Sequence, residues 1–234
     1  MKTIGMLGGM SWESTALYYR IINEETKRKL GGLHSAPVVL VSVDFQEIET
    51  LQMQGDWVAA ADLLAEAARR VENGGADFLM ICTNTMHKVA DEVAEAVDIP
   101  LLHLADAAAE RIADAGFDTV GLLGTRFTME HDFYKGRLQE RGINVLTPPA
   151  AGRELVHRVI YEELCLGIVR DESRAAFLEV MDDLVERGAQ AVVEGCTEIG
   201  MLVNEEHTDI VLFDTARIHA ERAVALALEG SRTR

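Results

Sequence analysis

Two short segments of this chain occur twice, and the spacing of the copies constrains the fold more than any other feature. Thr3-Ile4-Gly5-Met6-Leu7-Gly8-Gly9 is echoed 116 residues later by Thr119-Val120-Gly121-Leu122-Leu123-Gly124-Thr125. Gly75-Ala76-Asp77-Phe78-Leu79-Met80-Ile81-Cys82-Thr83-Asn84-Thr85 shares its plan with the stretch from Gly188 to Glu198, a shift of 113 residues. In each, an apolar run ends in small or polar residues able to open a turn and then a helix, the pattern of a buried strand delivering side chains to a loop. Two echoes in the same order at nearly the same shift imply two units of similar build. The second alignment sets Thr83 on Cys196, Asn84 on Thr197 and Thr85 on Glu198.

Between the echoes, strand and helix patterns alternate. Strand 1–9 leads to a helix over 12–30, strand 37–43, an alanine-rich helix over 57–72, strand 77–82, helix 86–97, strand 99–104 and helix 106–115. The second half is expected to run through strand 119–125, helix 129–141, strand 143–146, helices over 151–166 and 172–187, strand 190–195, strand 209–213 and helix 215–229. The alternation predicts an α/β fold of parallel sheets covered on both faces. The repeat predicts two pseudosymmetric α/β domains: residues 1–100 with 215–234, and residues 101–214. Ligands of such sheets bind at the carboxyl ends of strands, so a site is expected in a cleft between the domains. Ser231-Arg232-Thr233-Arg234 reads as a frayed tail.

Composition narrows the function. A formal net charge of −17 offers no basic stripe for nucleic acid and suits an anionic membrane poorly. No run approaches the roughly 18 apolar residues of a membrane span. The N-terminus lacks the apolar core of an export signal. With three widely spaced cysteines, the expectation is a cytoplasmic protein with reduced thiols. The histidines do not cluster and no HExxH or CxxC occurs, so no metal is expected. Neither GxGxxG nor GxxxxGK[ST] is present, which speaks against a dinucleotide or triphosphate.

The chemistry-bearing residues then stand out by position. Cys196 falls at a strand-to-helix turn, where a helix N-terminus would favour a thiolate. Cys82 lies one residue before the equivalent turn, on the other side of its strand from Thr83, and reads as core. Cys165 reads as packing on an apolar helix face. Thr83, Asn84 and Thr85 offer hydroxyls, an amide and backbone N–H groups, suited either to a carboxylate or to an ordinary cap. Ser11, Glu13 and Ser14 after Gly8-Gly9 admit the same two readings. His87 either touches the site or serves packing and capping.

Three motifs together, Gly5-Met6-Leu7-Gly8-Gly9-Met10-Ser11-Trp12-Glu13-Ser14-Thr15, Thr83-Asn84-Thr85-Met86-His87 and Gly195-Cys196-Thr197-Glu198-Ile199-Gly200, resemble those of the aspartate/glutamate racemase family over essentially the whole chain. The resemblance implies an amino-acid racemase without a cofactor, usually a homodimer. Two proton carriers would work on opposite faces of a small amino-acid substrate. It assigns Cys196 to one face. The family's other cysteine directly precedes Asn-Thr, and here that position is Thr83, with Cys82 displaced by one residue and so turned away. The resemblance further implies substrate contacts from Asn84, Thr85, Thr197 and the backbone at Met10. Gln52 and its rough counterpart Thr125 would serve the substrate side chain, in a region with no arginine. A threonine hydroxyl is a poor resting base, so racemisation is expected to be slow or kinetically unequal, with deprotonation on the L-side favoured. Two alternatives remain: a one-cysteine lyase or cis–trans isomerase of a maleate-type dicarboxylate, and an inactive amino-acid binding protein.

Overall fold

The computed structural model describes residues 1–229; the tail expected at Ser231–Arg234 lies outside them. The chain divides into two compact units, one formed by Met1–Leu104 and the chain from His219 on, the other by Ala105–Ile218. No helix among the described residues is long and apolar enough to cross a membrane.

In the first unit, β1 (Ile4–Gly8) is followed by α1 (Trp12–Leu30), β2 (Val38–Ser42), α2 (Phe45–Gln54), α3 (Trp57–Asn73) and β3 (Phe78–Ile81). A 3-10 turn (Thr85–Val89) and α4 (Ala90–Glu95) complete the series before α5 (Leu104–Asp114). The sheet order is β2-β1-β3, all parallel. The packing explains the alanine-rich composition of α3. Ala60, Ala67, Ala68 and Val71 are buried on one helix face, together with Leu64. Small side chains there let the helix lie close against β1, so close that a Cβ on Gly5 would meet Val71 Cγ1 at 2.5 Å. Leu7, Ile48, Leu79, Ile81 and Met86 fill the space around it. Burying each such side chain contributes roughly 1.5–3 kcal/mol.

In the second unit, β4 (Thr119–Gly124) leads through α6 (Arg126–Glu130) and α7 (Asp132–Glu140) to β5 (Asn144–Leu146). Then come α8 (Ala150–Glu162), a 3-10 turn (Leu164–Leu166), α9 (Asp171–Glu186), β6 (Ala191–Gly195), α10 (Ile199–Leu202), β7 (Leu212–Asp214) and α11 (Thr215–Leu228), whose later residues belong to the first unit. The order is β5-β4-β6-β7, again all parallel. Val156, Ile160, Phe177, Met181, Leu184 and Val192 form its core.

The repeat is visible in the register. Gly5 pairs with Leu79 in the first sheet, and Gly121 pairs with Val192 in the second. The two shifts of 116 and 113 residues are thus carried into the pairing itself. Where β7 completes the second sheet, the first has only a single bridge, Leu79 to Leu101, in place of the strand expected over 99–104. Other expectations need correction. The helix expected over 86–97 begins as a 3-10 turn, and that expected over 129–141 is broken at His131, where extended backbone ends α6. The helix α2 was not foreseen; Asp44 caps it by accepting from Gln46 N at 3.0 Å.

Candidate functional site

In the first unit, β1 ends in a turn that only glycine fits. Gly9 has φ +92°, and a Cβ there would meet Val43 O at 2.1 Å. Its N–H donates to Thr15 Oγ1 at 2.8 Å, while the Thr15 hydroxyl donates to Ser11 O at 2.8 Å. Ser11 caps α1 by accepting from Ser14 N. The Ser14 hydroxyl donates to Cys82 O at 3.0 Å, tying the start of α1 to the end of β3. The serines of the glycine turn are therefore engaged as caps and ties.

Beyond β3, Thr83 is half-buried, while Asn84 and Thr85 are buried. Cys82 is fully enclosed, and burial alone pushes its thiol far above the ordinary range. Thr83 is held from behind by a histidine. His87 Nε2 lies 3.2 Å from Leu104 N, a donor, so that nitrogen accepts; the proton then sits on Nδ1, which donates to Thr83 O at 2.8 Å. The His87 ring packs edge-on against His103 and His219. His219 accepts from the Tyr18 hydroxyl at 3.1 Å and donates to Leu102 O at 2.9 Å. Both ring nitrogens of His87 are thus bonded to backbone, one of them to that of Thr83. Gln52, buried at the end of α2, places its Nε2 3.0 Å from Met86 Sδ, which sets it beside the same turn. Met10 is buried in the hydrophobic core.

In the second unit, β4 and β6 converge through glycines. A Cβ on Gly124 would meet Gly195 O at 2.8 Å, and one on Gly195 would meet Leu123 O at 2.8 Å. This close approach brings Thr125, which caps α6, and Cys196 to neighbouring strand ends. Cys196, Thr197 and Glu198 are all buried. The Cys196 thiol donates to Glu198 Oε2 at 3.0 Å.

That contact overturns one expectation. The helix after Cys196 is a single turn, Ile199–Leu202, too short to build an appreciable dipole. Burial first, and the negative charge of Glu198 second, push the Cys196 thiol well above its ordinary range. The resting group is a thiol bonded to a carboxylate. Glu198 is also the hydrogen-bond partner of Cys196 that sequence reasoning missed; the available signal was its i+2 spacing from the cysteine across a turn. Cys165, half-exposed in the 3-10 turn after α8, packs against the same core as Cys196.

The register gives Thr83 and Cys196 equivalent places, each following the strand that pairs with the glycine-turn strand of its own sheet. Among the described residues, no group of three or more His, Cys, Asp or Glu converges to hold a metal ion.

A family model described as Asp/Glu/Hydantoin racemase matches residues 7–223. A candidate Asp/Glu racemase from Yersinia pestis is 54% identical and superposes with a TM-score of 0.91, over 97% of this chain and 100% of its own. An aspartate racemase homologue from Pyrococcus horikoshii is 33% identical, with a TM-score of 0.83 over 97% and 99% of the two chains. The broad specificity amino-acid racemase RacX of Bacillus subtilis is 19% identical over 245 residues, spanning 96% of this chain and 98% of the relative.

Proposed function

The chain belongs to the Asp/Glu/Hydantoin racemase family, and from that premise we propose that it is a cofactor-independent racemase of aspartate, glutamate or a similar polar amino acid. In this reading Cys196 and Thr83 serve opposite faces of the substrate Cα. The observation that supports it most directly is the equivalence of the two residues in the repeated register. Asn84, Thr85, Thr197 and the Met10 backbone bind the α-amino and α-carboxylate groups. Gln52 and Thr125 meet the side chain.

The chemistry follows from what each group can hold. The Cys196 thiol first passes its proton to Glu198, its hydrogen-bond acceptor. The thiolate then takes the α-proton: the C–H bond breaks, an S–H bond forms, and the electron pair delocalises into the carboxylate. Backbone N–H groups and hydroxyls at the turns stabilise that charge. Inversion requires the Thr83 hydroxyl to deliver a proton to the other face, leaving an alkoxide, a poor species at neutral pH. Return of a proton from Cys196 to the original face is easier. Enantiomers are equal in energy, so net interconversion must be equally efficient in both directions. The asymmetry between the two carriers shows itself instead as exchange outrunning inversion.

Proton NMR in deuterium oxide tests this. With the preferred L-amino acid, the Cα–H signal is expected to fade several times faster than the D-enantiomer accumulates, and Cys196→Ala is expected to abolish both. Thr83→Cys, which supplies a second thiol, is expected to speed inversion about tenfold or more by restoring an efficient proton carrier. Exchange that survives Cys196→Ala would refute the assignment.

A further inference from the structure

Besides its glycine-turn region, the second unit holds a cavity of about 750 Å³ beside β7. Glu194 of β6 lines it and is only 4% exposed. Its backbone carbonyl is satisfied by the Thr215 hydroxyl at 2.7 Å, but its carboxyl Oε1 has no hydrogen-bond partner. The other oxygen faces Gly200 of α10, where an added Cβ would lie 4.0 Å from Oε2. Burying a carboxyl without partners costs free energy that a donor ligand would recover.

The surroundings define that ligand. Asp214 at the end of β7 and Glu205 and Glu206 after α10 also line the cavity. The cations facing it are Arg111 of α5 and Arg217 of α11. Arg217 is paired with Asp214, through a 4.0 Å side-chain contact and its own N–H to Asp214 Oδ1. Carboxyls therefore outnumber guanidiniums. The acidic groups do not converge as a metal site among the described residues. Leu212, Phe213 and Ile218 supply an apolar wall. We propose that this cavity binds a small organic cation, a primary ammonium on a short aliphatic body, with Glu194 as its anchor. The site uses none of the residues assigned to racemisation.

Burial first, and then Asp214 and Glu205, push the Glu194 carboxyl up to about 8. It is protonated near neutrality, and a cation binding to it displaces that proton. Affinity is therefore expected to rise about tenfold from pH 6.5 to 7.5 and to level off above the pKa.

The test is calorimetric titration of the full chain with 1,4-diaminobutane, in two buffers of different ionisation enthalpy, with 1,4-butanediol as the neutral counterpart at matched ionic strength. Binding of the diamine with proton release at pH 7, and at least tenfold weaker binding of the diol, is expected. Glu194→Gln is expected to weaken the diamine about tenfold or more. Gly200→Leu, which fills the open space facing Oε2, is expected to block it as well. No binding, equal binding of the diol, or undiminished binding in either variant would overturn the proposal.

Discussion

A thiol works as a base only once it has been parted from its proton, and at Cys196 burial and the charge of Glu198 both oppose that. The same carboxylate is the thiol's hydrogen-bond acceptor, so it holds the proton in place at rest. Replacing Glu198 by Gln removes a negative charge beside the sulfur. The thiol pKa must then fall, because a like charge no longer disfavours the thiolate. In a Cys165→Ser background, the pH profile of Cys196 alkylation by iodoacetamide is expected to have its midpoint above the ordinary thiol range, and to move down in Glu198→Gln. An unmoved midpoint would show that Glu198 exerts no such control. Cys82 is fully buried and is expected to stay unreactive in the folded protein.

At the scale of elements, the turn from β1 into α1 is held by Thr15. Its hydroxyl accepts from Gly9 N and donates to Ser11 O, both at 2.8 Å, in a buried setting. Thr15→Val keeps the shape and leaves the Gly9 N–H without its acceptor, at a cost of about 1–3 kcal/mol. The denaturant midpoint is expected to drop with little change in slope. Thr15→Ser keeps both bonds and is expected to lose much less. A larger loss in Thr15→Ser than in Thr15→Val would attribute the effect to packing of the methyl group, which lies against Gly8.

At the scale of the molecule, two buried titrating groups, His219 and Glu194, make stability depend on pH in opposite senses. His219 is held neutral, with burial pushing its pKa down to about 4. Its stabilisation is complete above its unfolded pKa of about 6.5 and is lost as pH falls toward 4. Glu194 works in the opposite sense. Its pKa is raised to about 8, so its contribution is full below its unfolded value of about 4.3 and is lost as pH rises through 8. Glu194→Gln removes the second dependence. The gain in Tm from this variant is expected to be larger at pH 8.5 than at pH 5 by several degrees, measured without amines. A gain independent of pH would mean that Glu194 is not protonated in the folded state near neutrality.

The sequence by itself determined the two-unit parallel α/β plan, because apolar strand patterns and glycine turns are local features and their repetition at shifts of 113 and 116 residues survives in the strand register. It also placed Thr83 and Cys196 at corresponding turns. Tertiary structure alone decided the state of the cysteine, since a pKa depends on burial and on which charge lies within a few ångströms. Only the fold turns Glu198 toward Cys196. The same limit explains α2 and the bridge at Leu101: a cap such as Asp44 and a strand reduced to one bridge depend on neighbours the local pattern does not name. The orphan carboxyl of Glu194 was invisible for the same reason. Alternation places its side chain on one face of β6, but only packing shows that this face opens on a cavity rather than closing on a partner.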